Sequence, residues 1–311
     1  MQITIIGLTM LGTSLALALK GAHEAISITG HDPDPDRAAD AKHLGAIDRS
    51  AWNLPAACEK SGLIVLDLPL NELRRTLAAI GESAAPDTVI VDLAPVKRPV
   101  LEYVRASLPH PERFVGGHLL RAPRAPIAGE PSAEQVRGAT FYLVASAGTS
   151  AEALDVASNL AVAAGAEPRY IDAAENDGLT AATCQLPVMA AAGVVGALTT
   201  DAGGQEREGS SGSALAALRL ALGDGTDPAA LLGNGDNLLY WIDRYVVELQ
   251  RLRRLVAEGD EEALVKALAG AVEAATRWVE GGGDVEPPPG RGVGGLRELF
   301  LGGLGRGRPS G

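Results

Sequence analysis

The chain has 311 residues, with 39 acidic against 27 basic side chains and a net charge of −12. That balance argues against a nucleic-acid partner or an anionic membrane surface, and an anionic substrate would need locally placed arginines. Two cysteines far apart, Cys58 and Cys184, make neither a disulfide framework nor a metal cluster; no metal is expected, and a reducing cytoplasm fits.

In chain order, Ile3, Thr4, Ile5 and Ile6 are β-formers that stop at Gly7. From Gly12 the pattern turns Ala- and Leu-rich, as in a buried helix, and a second strand over 25–29 precedes Asp32. Strand, Gly-rich turn, helix, strand and acid form the layout of a dinucleotide-binding unit. There the pyrophosphate rests on a helix N-terminus, where unpaired N–H groups and the helix dipole favour an anion. Gly7, Thr9, Met10, Leu11 and Gly12 form the expected cradle. Asp32 stands where an acid accepts hydrogen bonds from the ribose hydroxyls and repels a 2′-phosphate, which favours NAD over NADP. Thr9 holds the place of the middle glycine of G-x-G-x-x-G, so its side chain must turn aside for the pyrophosphate. The alternative is a β-turn-α unit without a ligand. No basic segment precedes the apolar part, and a signal peptide is not expected.

After Asp32, Asp36 is placed to cap a helix over 37–44 that Gly45 ends. Residues 63–69 are a continuous apolar run, typical of a strand covered on both faces, with Leu68 and Pro69 at its cofactor-facing end. Asn71 is placed to cap a helix over 72–80. Strands follow at 88–92 and 114–118, the first leading through the Lys97 turn into a helix to about residue 108. An irregular Pro- and Arg-containing loop spans 119–131. A strand at 140–145, a helix at 152–164 and a strand at 168–171 complete a mostly parallel sheet with helices on both faces.

Beyond residue 172 the strand signals vanish. Residues 177–199 read as one apolar helix, whose run at 186–198 is too short to span a bilayer and is expected to be buried. Helices are expected at 214–222, 236–257 and 261–279, with Asp260 as a cap. Leu238, Ile242, Tyr245, Leu249, Leu252 and Val256 share one face of the second. The organisation is thus α/β: a Rossmann-type NAD-binding domain (1–172), an all-α substrate and dimerisation domain (173–282), and a Gly/Pro-rich tail (283–311) expected to be mobile.

Ligands of open parallel sheets bind beyond the carboxyl ends of the strands. His118 follows two glycines at such an end, placed to present its ring beside a nicotinamide. A hydride leaving a carbinol carbon requires its hydroxyl proton to be accepted, which an imidazole can do; the alternative is a histidine bonded within a loop. Lys97 either reaches a substrate carboxylate or phosphate, or is a solvated lysine at a helix start.

In order, Ile6-Gly7-Leu8-x-x-Leu11-Gly12-x-Ser14-Leu15-Ala16, Gly30-His31-Asp32, Val91-Asp92-x-x-x-Val96-Lys97, Phe114-Val115-Gly116-Gly117-His118, the 138–144 strand, Asn176-Asp177, Leu186-Pro187, Arg219-Leu220-Ala221 and Asn237 resemble the prephenate and arogenate dehydrogenases of tyrosine biosynthesis. The resemblance implies an NAD-dependent oxidative decarboxylation with His118 as base and Arg219 gripping a substrate carboxylate. It also implies a homodimer through the helical domain.

Four departures accompany it. Pro95 replaces a serine that bonds the substrate hydroxyl, and Asn176 replaces a histidine. Val188, preceded by Gln185, replaces a second pocket histidine. Leu119-Leu120-Arg121-Ala122-Pro123-Arg124 replaces Pro-Met-Ala-Gly. Arg121 and Arg124 are thereby candidates for binding a dianionic substrate, with Gln185 beside it. Two alternatives stay open: a dehydrogenase of another hydroxy acid, and a non-catalytic dimeric NAD-binding or regulatory protein.

Overall fold

The computed structural model describes residues 2–22, 26–122, 129–199, 213–223 and 226–280. Arg124 and the expected tail lie outside the described residues. Gln2–Leu252 pack as one compact unit, and the chain from Arg253 belongs to another.

One eight-stranded sheet organises the first unit: β1 (Gln2–Ile6), β2 (Ser27–His31), β3 (Arg49–Ser50), β4 (Leu63–Leu66), β5 (Val89–Asp92), β6 (Phe114–Leu119), β7 (Thr140–Val144) and β8 (Glu167–Tyr170), in the order β3-β2-β1-β4-β5-β6-β7-β8. All neighbours are parallel except β6 and β7, which run antiparallel. The mostly parallel sheet expected from the alternation of strands and helices is the one found. The order reverses between β1 and β4, which opens the crevice where such sheets bind ligands.

Two apolar clusters sandwich the sheet. Side chains alternate along a strand, so Ile3, Ile5, Leu63, Val65, Val89, Val91 and Val115 enter one cluster, while Ile6, Ile64, Leu66, Ile90 and Phe114 enter the other. A strand buried on both faces needs an apolar residue at every position, as β4 has throughout and β5 has up to Val91. The first cluster is roofed by α1 (Met10–Ala22) and α6 (Ala151–Ala163), the second by α3 (Leu54–Cys58), α4 (Leu70–Ser83) and α5 (Arg98–Ser107). Each fully buried Leu or Ile contributes about 1.5–3 kcal/mol from removal of apolar surface from water.

Two expected caps are corrected. The helix after Asp32, α2 (Pro35–His43), is capped by Asp34, whose Oδ1 accepts from the Asp36 N–H at 3.0 Å. Pro35 at its first position, with φ pre-set and no N–H to satisfy, moves the start upstream of Asp36. In α4 the helix begins at Leu70, not after Asn71, and its first N–H donates to the Asp227 carboxylate at 2.7 Å. That acceptor is 157 residues away and invisible to local reading.

Helices follow from residue 173: α7 (Ala173–Thr180), a π-turn (Ala181–Gln185), α8 (Leu186–Thr199), α9 (Ser213–Leu222), α10 (Pro228–Gly233), α11 (Gly235–Glu258) and α12 (Glu261–Glu280). Asp260 caps α12 as expected, accepting from the Ala263 N–H at 3.0 Å. The expectation of a buried helix at 186–198 is overturned: of the α8 side chains only Ala191 is buried. The helical run Ala173–Thr199 is long and apolar enough to cross a membrane by length and composition, with mean hydropathy 1.6. Its first half, however, carries buried Asn176, Asp177, Thr180 and Gln185 packed against protein. Hydrophobicity predicted burial, yet the other described α8 side chains are intermediate or exposed.

Candidate active site

The β1–α1 turn is shaped by contact with the end of β4. Gly7 has φ +89°, and a Cβ there would lie 1.9 Å from the Asp67 carbonyl oxygen; one on Gly12 would lie 2.5 Å from the Gly7 oxygen. Both outer glycines of the motif are therefore steric requirements. Asp32, at the end of β2, accepts from the Leu8 N–H (2.7 Å) on Oδ2 and from the Asp34 N–H (2.8 Å) on Oδ1. Each oxygen keeps acceptor capacity for a hydroxyl. Met10 opens α1, Leu68 is half-buried, and exposed Pro69 precedes α4. A cleft of about 350 Å³ lined by Ile6, His31, Leu54, Leu68, Glu72 and Arg75 lies at these strand ends.

Thr9 turns aside, as the motif required, by bonding the protein itself: its hydroxyl donates to the Asp67 carboxylate. The same carboxylate oxygen accepts from the Gly12 N–H at 2.7 Å. Burial raises the Asp67 pKa, the Asp32 charge adds to it, and the bonds from Thr9 and Gly12 oppose it. The glycines, the α1 N-terminus and Asp32 fit a dinucleotide. The Thr9–Asp67 pair puts a carboxylate at the phosphate end.

The second cluster sits at the carboxyl ends of β5 and β6. His118 is 7% exposed, and its Nδ1 lies 3.0 Å from the Asn176 side-chain oxygen. The Asn176 amide nitrogen donates to the Pro95 carbonyl (3.0 Å) and to Asp177 (3.1 Å), which fixes which end of the amide is oxygen. An amide oxygen only accepts, so Nδ1 of His118 carries the proton and Nε2 is the basic nitrogen. Burial first, then the Lys97 charge, push the imidazole down to about 4; the Asn176 bond and Asp177 work the other way. The ring is a neutral base at physiological pH.

The glycines before His118 have a different role from the one expected. A Cβ on Gly117 would stand 2.4 Å from the Asp92 carbonyl oxygen, and one on Gly116 3.0 Å from Lys97 Cδ. They make room for β5 and the lysine stem, rather than freeing the backbone to aim the ring.

Lys97 is corrected outright. It is fully buried, and its Nζ donates to Asp92 Oδ2 at 2.5 Å, so it does not reach into the cleft. Asp92 Oδ1 also accepts from the Gly117 N–H at 3.1 Å, tying the pair to the strand that carries His118. Gln185 is likewise spoken for: its Nε2 donates to the Ala230 carbonyl (3.1 Å) and its Oε1 accepts from Asn234 (2.9 Å). It braces α10 against the π-turn. Arg219 is exposed on α9, which packs on α8, and Arg121 is exposed just after β6.

Sequence reading missed three functional residues. Asn176 was noted as a departure, yet it orients His118. Asp177 accepts from the Lys97 N–H (2.6 Å) and the Arg98 N–H (3.0 Å), so α7 caps α5 in trans. Asp67 looked like one more residue of an apolar strand end; a charge inside such a run was the available signal. Among the described residues no group of three His, Cys, Asp or Glu side chains could hold a metal ion.

A doubly wound sheet with a nucleotide cradle at its order reversal and a neutral buried imidazole at the end of β6 defines a Rossmann-type dehydrogenase. Residues 15–169 match the model of the prephenate dehydrogenase nucleotide-binding domain. The chain is 25% identical over 279 residues to the prephenate dehydrogenase of Bacillus subtilis, covering 85% of this chain and 72% of that one. It is 24% identical over 283 residues to the cyclohexadienyl dehydrogenase of Zymomonas mobilis, covering 85% and 92%. In fold it matches the A. aeolicus prephenate dehydrogenase in complex with hydroxyphenyl propionate and NAD+ (TM-score 0.77, 20% identity, 89% and 97% covered). It also matches Synechocystis arogenate dehydrogenase (TM-score 0.67, 20% identity, 89% and 100% covered). The chain belongs to the prephenate and arogenate dehydrogenase family of NAD-dependent oxidoreductases.

Proposed function

We propose that the chain oxidatively decarboxylates prephenate or arogenate in tyrosine biosynthesis, in the cytoplasm, with His118 as the base. The observation that carries this reading is the fixed tautomer: Asn176 holds Nδ1–H, which leaves Nε2 to accept the substrate's hydroxyl proton. When bound, NAD supplies the hydride acceptor. The N–H groups of the Gly7–Gly12 turn would hold its pyrophosphate, and Asp32 its ribose hydroxyls, with Leu68 and Pro69 alongside. The hydroxyl proton would pass to Nε2 as the hydride leaves the carbinol carbon; the electron pair of the breaking carbon–carboxylate bond then enters the ring, carbon dioxide leaves and the ring becomes aromatic. Arg219 is assigned the second substrate carboxylate, a task suited to a planar guanidinium; Arg121 is the other described candidate. We keep the boundary near residue 172 between NAD-binding and helical domains, since the last strand ends at Tyr170.

The test is reduced-nicotinamide absorbance with purified protein, NAD and either substrate. Turnover of one is expected, and none with either would sink the reading. The alternative of a protein without catalysis is favoured by one observation, the Asp67 carboxylate in the cradle.

A homodimer through the helical region is the companion proposal. On α11, Leu239 is 61% and Val247 65% exposed, and Met189 and Val194 on α8 are partly exposed. A second copy would bury such apolar area. Sedimentation velocity is expected to give twice the chain mass, and a Val247→Glu variant to shift it towards the monomer; a monomer at micromolar wild-type concentration would refute the dimer.

A further inference from the structure

The cofactor cradle contains an anion of its own. α1 begins at Met10, and its ladder opens with the Thr13 N–H on the Thr9 carbonyl at 3.0 Å. The N–H groups of Met10, Leu11 and Gly12 are therefore the donors that a helix start leaves for an external anion. Two of the three are engaged within the protein: Gly12 donates to Asp67 Oδ2 at 2.7 Å, and Leu11 to the Thr9 hydroxyl at 3.3 Å. The Thr9 hydroxyl in turn donates to the same Asp67 oxygen, which closes the arrangement.

Asp67 has little latitude beneath the turn. Its carbonyl lies against Gly7, and its Cβ and carboxylate lie against Gly12. Asp32 presents a like charge to it and Arg37 an opposite one. A diphosphate approaching the α1 N-terminus thus meets a carboxylate bonded to the N–H groups it would use. At an effective dielectric of about 20, two unit charges about 5 Å apart repel by several kT, enough to move a dissociation constant more than tenfold.

We propose that Asp67 is an internal anion of the cradle, held by Gly12 and Thr9, which the dinucleotide's pyrophosphate must displace or see neutralised, so that residue 67 sets cofactor affinity. The proposal rests on the NAD reading above. It gives Thr9 a purpose: the branched residue at the middle-glycine position is the latch that positions Asp67.

The test is calorimetric titration of the full-length protein with NAD at pH 7.5, without substrate. Asp67→Asn keeps an acceptor for the Gly12 N–H and removes the charge. Asp67→Ala removes both and separates loss of charge from gain of an amide donor. Thr9→Gly removes the latch. Thermal melts establish that each is folded. All three are expected to bind NAD at least tenfold tighter than the wild type, a difference of about 1.4 kcal/mol. Equal affinity in wild type and both Asp67 variants, or weaker binding by the variants, overturns the proposal and leaves the cofactor reading standing. Binding by none of the four overturns both.

Discussion

Replacing His118 by alanine is expected to lower kcat about 10²–10⁴-fold, the range for losing a positioned general base. The fold should survive, because the ring lies at the end of β6 and the strand is held by its backbone ladder to β5 and β7. Turnover within threefold of wild type would refute the role of base. The pH profile offers a sharper test. A base works only unprotonated, so kcat/KM falls on the acid side of its pKa. Burial and the Lys97 charge take His118 down to about 4, whereas an open imidazole titrates near 6.5. The acid limb is therefore expected near pH 4, with rates at pH 6 and 7.5 alike; a limb at 6.5 would show the ring to be solvated.

Asn176 belongs to the same argument. Asn176→Leu removes the acceptor that fixes the tautomer, and the expected loss in kcat is about 10–100-fold, as for other residues that orient a working histidine. Asn176→Asp keeps an acceptor and adds a negative charge beside the imidazole. It should recover much of the rate while moving the acid limb to higher pH, because a nearby anion favours imidazolium. A purely structural role for Asn176 would leave that limb where it is.

The sheet was legible because strands buried on both faces write themselves as unbroken apolar runs, as at 63–66 and 89–91, and because Gly7 and Gly12 are imposed by close backbone contact. His118 was legible from its place at a strand end and Asp32 from its place just after one. The partners were not. The acceptor for the Leu70 N–H lies 157 residues downstream, and the residue that orients His118 lies 58 residues away on α7. Hydrogen-bond pairings across such separations leave no periodicity to read. Lys97 misled for a related reason: a lysine at a helix start is normally solvated, and only the Asp92 carboxylate beneath it makes burial tolerable.

That buried pair leads to the largest expected effect on stability. Burial pushes Asp92 up and Lys97 down in pKa, while their mutual attraction opposes both shifts. Lys97→Met matches the stem's shape and strands Asp92 in the interior. Breaking one partner of a buried pair costs about 3–5 kcal/mol. For a domain of this size that corresponds to a fall in Tm of roughly 6–20 °C. Replacing both partners by apolar residues is not the natural rescue here, because Asp92 also accepts from the Gly117 N–H (3.1 Å) and the Ala94 N–H (3.0 Å). Each orphaned N–H would cost about 1–3 kcal/mol. Asp92→Asn combined with Lys97→Met removes both charges but keeps one acceptor oxygen, so the double variant should melt above the Lys97→Met single. A single variant that melts with the wild type would show that the pair contributes nothing net. Function should follow the same substitution: the Lys97 cation is one of the forces holding His118 neutral, so its loss lets the imidazole protonate more readily. In whichever of the two variants remains folded at 25 °C, the acid limb of kcat/KM is expected at higher pH than in the wild type. Stability and basicity at this site then trace to one fully buried ammonium group.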